Sequence, residues 1–326
     1  MKVLELAKSC FYHPTKVVFL DDNQGFLDVI ELEFGDQKNM MMFTCPEMAM
    51  SAINNGEECI SRKILSGKEG INSDTANHVG GFEVHNIVNI IDDTARFENV
   101  SVLVVDYEMP TINGVEFCRK LEDKNIFKIL LTAEADTTTA IDAFNAGVID
   151  KFILKTSDDL YEKITNAILE LKTKYFNELS RIIVQSCGES LKLLLNNDRY
   201  KNIFNYVLST SQAKEYYLVD KYGSFLFLDK NAIPTWLIIS DNNKIDDQVG
   251  LLEGLDFPLD IIEKIKNKSS ILFLFSDKEY KEQVSSWKKY IFDSIELDGN
   301  YHYSIINDRI TDAIGWDGIN SYASNL

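Results

Sequence analysis

Short runs of apolar residues alternate with segments of helical periodicity along the first half of the chain. Four runs stand out, at residues 16–20, 101–105, 129–131 and 152–154. Runs this short, without polar alternation, are typical of strands buried on both faces of a parallel sheet. Residues 40–43 predict a further strand, and the helical pattern between residues 26 and 34 ends at Gly35, a common C-cap residue. The pattern predicts an α/β fold with a doubly wound parallel sheet.

Each of the four runs ends at a polar residue. Asp21 and Asp22 follow the first run, and the other three end at Asp106, Thr132 and Lys155. In an open parallel sheet the carboxyl ends of the strands meet at one crevice, where ligands bind. Three carboxylates crowded there attract a hard divalent cation, typically Mg²⁺. Aspartate can act as a nucleophile toward phosphorus, while an ammonium and a hydroxyl can bind the remaining phosphoryl oxygens.

With these residues in this order, the chain resembles the receiver domain of two-component response regulators over roughly residues 15–178. The resemblance implies that Asp106 is the phospho-acceptor and that Asp21 and Asp22 form the acidic pair. Mg²⁺ would be held at this acidic site by Asp22, Asp106 and the backbone carbonyl of Glu108, with Asp21 beside them.

The same resemblance implies the roles of three further residues. Thr132 is the switch hydroxyl, Phe152 the switch aromatic and Lys155 the ammonium that pairs with the phosphate. The family usually has a proline after this lysine, often as a cis peptide, whereas Thr156 follows here. A cis bond without proline is costly, so we expect this loop to be either trans or strained.

The length of 326 residues suggests about two domains. We expect an N-terminal extension over residues 1–14, with a short helix at 3–11, and a receiver domain over 15–157. A long helix and helical linker over 158–210 would lead to an α+β output domain over 211–326. The predicted fold class is therefore an α/β doubly wound receiver, a long connecting helix and a C-terminal α+β domain.

An insertion is predicted near residues 56–84, because Asp21 and Asp106 are 85 positions apart, more than a receiver needs. A long stretch of this kind is either a mobile elaboration without chemistry of its own or a partner contact or lid. His78 and His85 lie in or beside it. No further ligand types accompany them at metal spacing, so we interpret both as ordinary polar residues.

The helix predicted after Lys155 continues far beyond a normal receiver. Apolar residues recur at spacings of three and four over about 30 residues, or about 45 Å; they are Leu160, Ile164, Ile168, Leu171, Tyr175, Leu179 and Ile182. The alternative is two helices broken near Phe176. The receiver core can bury only the first turns of this stripe. We therefore expect the rest to pack on the output half or, in a phosphorylation-promoted homodimer, on a second copy.

The C-terminal third predicts a mixed α+β domain. Strands are expected at 216–219, 225–228, 236–239, 271–275 and 301–306, with helices at 243–267, interrupted near Pro258, and at 278–292. Residues 215–326 contain 11 Lys plus Arg and 19 Asp plus Glu, a net charge of −8. This domain lacks a basic face and a recognition helix, which argues against DNA binding. P-loop, GGDEF and EAL signatures are also absent.

Charge, apolar runs and cysteine usage restrict the ligands and the compartment that we expect for the protein. The formal charge of −18 argues against an extended phosphate-binding surface. No apolar run is long enough to span a membrane, and no signal peptide is evident. Five cysteines, an odd number without paired spacing, are expected to be reduced thiols in the cytoplasm.

Three functions remain open after these exclusions. The first is a phosphorylation-switched response regulator whose output binds another protein, itself included, after a sensor histidine kinase or phosphotransfer protein supplies the phosphoryl group. The second is a receiver that controls a catalytic or nucleotide-binding output, and the third one that controls DNA binding. The receiver itself is expected to catalyse only phosphoryl uptake and loss, and the sequence leaves enzyme activity of the output domain open. An insert-bearing receiver joined to such an output resembles an atypical group of response regulators that includes a quorum-sensing regulator.

Overall fold

A computed structural model of the chain describes residues 9–35, 39–54, 90–93, 95–133, 136–316 and 319–325, except for the side chains of three of them, at positions 182, 186 and 325. The insertion near residues 56–84, with His78 and His85, lies outside these residues. Two sheets organise the described part, one of five parallel strands and one of six antiparallel strands. The first described strand, β1 (Phe11–Tyr12), belongs to the second sheet.

The parallel sheet has the order β3-β2-β4-β5-β6 and contains all the strands predicted for this half. Its strands are β2 (Lys16–Leu20), β3 (Met40–Phe43), β4 (Val100–Asp106), β5 (Phe127–Thr132) and β6 (Lys151–Leu154). Helices α1 (Gln24–Phe34), α2 (Pro46–Asn54), α3 (Gly114–Lys120) and α4 (Thr137–Asn145) connect them. Gly35 ends α1 with a left-handed φ of 63°, as its position predicts.

Alternate residues of the same strands build two separate cores. Val18, Leu103 and Leu130 face α2, α3 and α4, whereas Val17, Val102 and Ile129 face α1 and the helix after β6. Because successive strand residues point to opposite faces, an uninterrupted apolar run fills both layers. This arrangement confirms the predicted doubly wound fold.

The helix after β6, α5 (Leu160–Cys187), is continuous over 28 residues, as predicted. Leu160, Ile164, Ile168 and Leu171 pack in the core of the receiver sheet, whereas Tyr175 and Leu179 pack in the core of the antiparallel sheet. The side chain of Ile182 is outside the described set. Of the two expected arrangements, the structure shows the one in which the described part of the stripe packs on the output half of the same chain. A phosphorylation-promoted dimer beside this helix stays a prediction.

The antiparallel sheet has the order β1-β7-β8-β9-β13-β12. Its C-terminal strands are β7 (Glu215–Leu218), β8 (Phe225–Leu228), β9 (Pro234–Asp241), β12 (Ile295–Glu296) and β13 (Tyr301–Asn307), and β10 (Ser270–Leu272) pairs separately with β11 (Ile291–Asp293). The helices are α6 (Glu189–Asn196), α7 (Asp198–Thr210), α8 (Asn242–Gly254), α9 (Leu259–Lys266) and α10 (Asp277–Lys281). The predicted α+β output half is confirmed.

One predicted helix is wrong, and a second is contradicted at its C-terminal end. The segment 278–292 forms the short α10, a 3₁₀ helix over Val284–Tyr290 and strand β11, because Phe292 pairs with Ile271 of β10 and Trp287 and Tyr290 are buried. The predicted helix over 3–11 is contradicted at its end, since Phe11 and Tyr12 pair with Tyr217 and Tyr216 of β7. Residues 1–8 lie outside the described part.

A fully buried ion pair connects the two halves. Arg96 lies in a 3₁₀ turn before β4, and its guanidinium donates to Glu215 of β7 at 2.7 Å (Nε to Oε2) and 3.3 Å (Nη2 to Oε1). The same guanidinium also donates to the backbone carbonyls of Ile91, Asp93 and Asn320. These five bonds use every donor of the group. Within the described residues, no helix is both long enough and apolar enough to cross a membrane.

Candidate functional site

The carboxyl ends of four parallel strands meet at one edge of the receiver sheet. Asp21 directly follows β2, Asp106 is the last residue of β4, Thr132 the last of β5, and Lys155 directly follows β6. The strand register aligns these ends, since Leu20 lies opposite Val105, Asp106 opposite Leu131, and Thr132 opposite Leu154. The structure therefore brings together the strand-end residues that the sequence singled out.

Three carboxylates form a compact cluster at this edge. Asp21, Asp22 and Asp106 each place an oxygen within 4.8 Å of the others. Asp21 and Asp106 are buried and Asp22 is exposed. The backbone N–H of Asn23 donates to Asp21 Oδ1 at 2.9 Å, which fixes the buried carboxylate as the chain turns into α1. Asp22 leaves one side of the cluster open to solvent, and Asp21 and Asp106 are held in the interior. This arrangement suits a site that an ion or a phosphate enters from solvent.

Lys155 bridges two of these carboxylates. Its Nζ lies 2.7 Å from Asp21 Oδ2 and 2.8 Å from Asp106 Oδ1. The Lys155 backbone N–H donates to the Thr132 carbonyl at 2.9 Å, so the loop continues the pairing of β5 with β6. No described peptide bond is cis, and the bond before Thr156 is accordingly trans.

Burial and charge shift the acid–base properties of this pair. Burial raises the pKa of the Asp106 carboxyl above its ordinary value, and the hydrogen bond and charge of Lys155 oppose that rise while Asp21 adds to it. Burial alone would lower the pKa of Lys155, but its bonds to Asp106 and Asp21 outweigh this and raise it. Asp106 is thus a more basic carboxylate than a free aspartate, with a cation held against it.

The other predicted residues surround the cluster. Thr132 is buried, and its Oγ1 donates to the Ala133 carbonyl at 3.2 Å. Phe152 is half-buried against the core under α2, α3 and α4. Glu108, two residues after Asp106, has an exposed side chain and lies in the loop that leaves β4. These placements agree with the order of the motif but do not by themselves assign a role.

Two residues beside the site were not predicted to belong to it. The Phe26 ring of α1 lies with its centroid 4.9 Å from Lys155 Nζ, close enough for a cation–π contact. A Cβ on Gly114 would come within 2.2 Å of the Asp106 carbonyl oxygen, so only glycine lets α3 approach the nucleophile's backbone this closely. Asn113-Gly114 is a common turn dipeptide, so the sequence contains a signal for the second position. Nothing in the sequence distinguished Phe26 from the other apolar residues of α1.

Comparison with known proteins agrees with this geometry. The sequence model of the response regulator receiver domain matches residues 67–168. The transcriptional regulatory protein FixJ of Rhizobium meliloti is 43% identical over 60 residues, which are 18% of this chain and 29% of FixJ. The match therefore spans less than a third of that relative.

One solved structure is similar over nearly the whole chain. The Legionella pneumophila response regulator LqsR is 28% identical, with a TM-score of 0.75 over 97% of this chain and 94% of LqsR. The similarity thus includes both sheets and α5, not the receiver alone. The chain carries a receiver domain of the response regulators of two-component signalling.

Proposed function

We propose that this protein is a phosphorylation-switched response regulator in which Asp106 accepts a phosphoryl group from a sensor histidine kinase or a phosphotransfer protein. The observation that carries the proposal is the contact of Lys155 Nζ with Asp21 and Asp106, at 2.7 and 2.8 Å, inside a cluster of three carboxylates. The cluster has a nucleophile, a permanent cation and further acids within reach of one small ligand.

The chemistry of the cluster fits Mg²⁺. Carboxylate and carbonyl oxygens are the ligands that this ion uses in proteins, together with water and phosphate oxygens. Asp21, Asp22, Asp106 and the backbone carbonyl of Glu108 are the groups that would hold it. When bound, the ion offsets negative charge on the incoming phosphoryl oxygens.

Asp106 then acts as the nucleophile. A carboxylate oxygen bonds to phosphorus as the bond from phosphorus to the donor nitrogen breaks, and the departing imidazole keeps the electron pair and takes up a proton. The product is an acyl phosphate on Asp106. Lys155, which pairs with the carboxylate beforehand, moves its hydrogen bond to a phosphoryl oxygen, and water later hydrolyses the acyl phosphate.

The switch follows from the same contacts. A phosphoryl oxygen is a stronger acceptor than the Ala133 carbonyl, so the Thr132 hydroxyl turns toward it. Phe152, which is only half-buried, then has room to turn inward and change the surface beside α4. The output acts through protein–protein contacts, in keeping with its net charge of −8. Homodimerisation and a role in quorum sensing remain predictions.

The test is phosphorylation of the acceptor variant. Asp106→Asn keeps the side-chain shape and removes the attacking charge, so acetyl phosphate with Mg²⁺ should leave it unmodified by intact mass spectrometry while the wild type gains one phosphoryl group. Glu122→Gln, at an exposed acid two residues after α3, is the matched control and should be modified like the wild type. Stable phosphate on Asp106→Asn would place the acceptor elsewhere.

A further inference from the structure

The turn between α8 and α9 exposes three leucines. Leu251 is 43% exposed, Leu255 38% and Leu259 76%. We call residues 251–263 the leucine elbow. Single exposed leucines are ordinary on protein surfaces, but three within nine positions of one turn form a candidate patch.

Buried neighbours hold the elbow in one conformation. Leu252 and Phe257 pack in the output core, and the Phe257 N–H donates to the Leu252 carbonyl at 3.1 Å. Asp256 between them adopts a left-handed φ of 50°. Since the core already takes up Leu252 and Phe257, the exposed leucines are not needed to fill it. They are kept on the outside by a fixed backbone.

Four exposed acidic side chains lie in the same segment as the leucines. Glu253, Asp256, Asp260 and Glu263 are all exposed, and none has an ion-pair partner among the residues that the structure covers. Lysines follow from the end of α9 onward, at Lys264, Lys266 and Lys268. The leucine elbow therefore carries three exposed leucines and four acids with no lysine or arginine, which complements apolar side chains flanked by basic residues.

We propose that the leucine elbow binds a basic amphipathic helix of another protein. Leu251 and Leu255 are four positions apart at the end of a helix, so they lie on one face, and apolar anchors at such spacings on a partner helix can pack against them. A second copy of the elbow would oppose acid to acid. An anionic membrane would be repelled by the same four carboxylates.

The surface is separate from the acidic cluster of the receiver, and the proposal goes beyond phosphorylation of Asp106. Binding at the leucine elbow is expected with unphosphorylated protein. A failure at the elbow therefore leaves the phosphorylation test untouched, and a failure of phosphorylation leaves the elbow test untouched.

The experiment measures fluorescence anisotropy of a labelled 18-residue peptide of leucine and lysine, with leucines on one helical face, added to the full chain. A scrambled peptide of the same composition controls for charge. We expect the wild type to bind the amphipathic peptide at least about tenfold more tightly than the scrambled one, and Leu255→Ser/Leu259→Ser to lose about tenfold or more. Leu193→Ser, at a 64% exposed leucine on α6, should bind like the wild type.

A second variant tests the charges without touching the leucines. Glu253→Lys/Glu263→Lys should also weaken binding by about tenfold, because it reverses two of the four negative charges of the leucine elbow. Circular dichroism of both variants tests whether they are folded like the wild type.

Four outcomes would overturn the proposal. Two concern the peptide: wild-type affinity in Leu255→Ser/Leu259→Ser, or equal binding of the scrambled peptide. A third is self-association of the wild type, seen by ultracentrifugation, that Leu255→Ser/Leu259→Ser loses. The fourth is binding of anionic vesicles through the leucine elbow.

Discussion

At the scale of single residues, one ammonium contacts two of the three carboxylates in the acidic cluster. Lys155 contacts both Asp21 and Asp106, so the phospho-acceptor is already paired before any ligand arrives. Asp22 is the exposed member of the three carboxylates and has no described contact with Lys155. Its oxygens are therefore the ones freely available to a cation from solvent.

This difference predicts which aspartate controls Mg²⁺ entry. Asp22→Asn removes one negative charge and one strong oxygen ligand, while Asp21 and Asp106 stay paired with Lys155. We expect Mg²⁺ affinity to fall by about tenfold or more in titration calorimetry. Asp28→Asn, an exposed acid on α1, should keep wild-type affinity. Equal affinity in Asp22→Asn would remove this residue from the metal site.

His13 predicts a pH dependence of stability. Burial lowers its pKa to about 3. Its Nδ1 is 3.1 Å from the Pro14 carbonyl oxygen, and its buried Nε2 has no hydrogen-bond partner among the described residues. An unfolded histidine titrates near 6.5, so between these values the unfolded chain binds a proton that the folded chain does not, and stability falls as the pH falls.

The comparison is with a variant that cannot titrate there. Between pH 7 and pH 5 the wild type should lose about 2 kcal/mol more unfolding free energy than His13→Gln, measured by urea denaturation at both pH values. Parallel losses in the two proteins would mean that His13 is accessible to protons in the folded state.

At the scale of elements, α5 serves two cores with one apolar stripe. Leu171 closes the receiver core and Tyr175, 1% exposed, begins the output core. A charge at both positions would be buried without a partner. Leu171→Glu/Tyr175→Glu should therefore unfold the protein, not split a dimer.

Circular dichroism and light scattering separate these outcomes. The double variant should lose helix signal. Leu169→Glu, on the same helix but 42% exposed, should keep it. A folded double variant of smaller mass than the wild type would restore the stripe as an intermolecular interface.

The elements also show what a single sequence can and cannot predict. Periodicity identified β2, β4, β5, β6 and α5, because each buries a repeating face and its pattern is local. It missed β1 and β11. Phe11–Tyr12 becomes a strand only by pairing with β7, and Ile291–Asp293 only by pairing with β10. Tertiary pairing overrides local preference at such short segments.

The candidate site follows the same logic. Asp21, Asp106, Thr132 and Lys155 were predictable because strand ends converge in a parallel sheet. Phe26 was not, because its position over Lys155 depends on how α1 packs. The stripe on α5 was predictable as apolar, but the sequence could not say whether its far end met the output half or a second copy.

At the scale of the whole molecule, Arg96 and Glu215 hold the halves together. Both side chains are completely buried, and the Tyr217 hydroxyl donates to Glu215 Oε2 at 2.6 Å. Removing one partner of a buried pair leaves the other charge without compensation, which costs about 3–5 kcal/mol. The receiver sheet and the output sheet should therefore unfold together.

Glu215→Gln tests this coupling. The variant should be about 3–5 kcal/mol less stable, and Arg96→Met/Glu215→Gln should lose less than the sum of the single changes in urea denaturation. Lys163→Met, which breaks the exposed pair with Asp159, should cost less than about 1 kcal/mol.

All three tryptophans lie after residue 230, so coincident tryptophan and circular dichroism transitions are expected. Separate transitions, or additive losses, would show that the halves fold independently.

Strand β1 has a consequence for how the protein is made. Its partner β7 is encoded about 200 residues later, so at ribosomal rates near 5–20 residues per second Phe11 and Tyr12 leave the ribosome roughly 10–40 s before anything exists for them to pair with. During that interval the parallel sheet, which lies between β1 and β7 in the sequence, can assemble. The order of synthesis thus differs from the order of pairing. Until the last third of the chain has been synthesised, the N-terminal segment is unpaired and can bind a chaperone or pair with an incorrect strand.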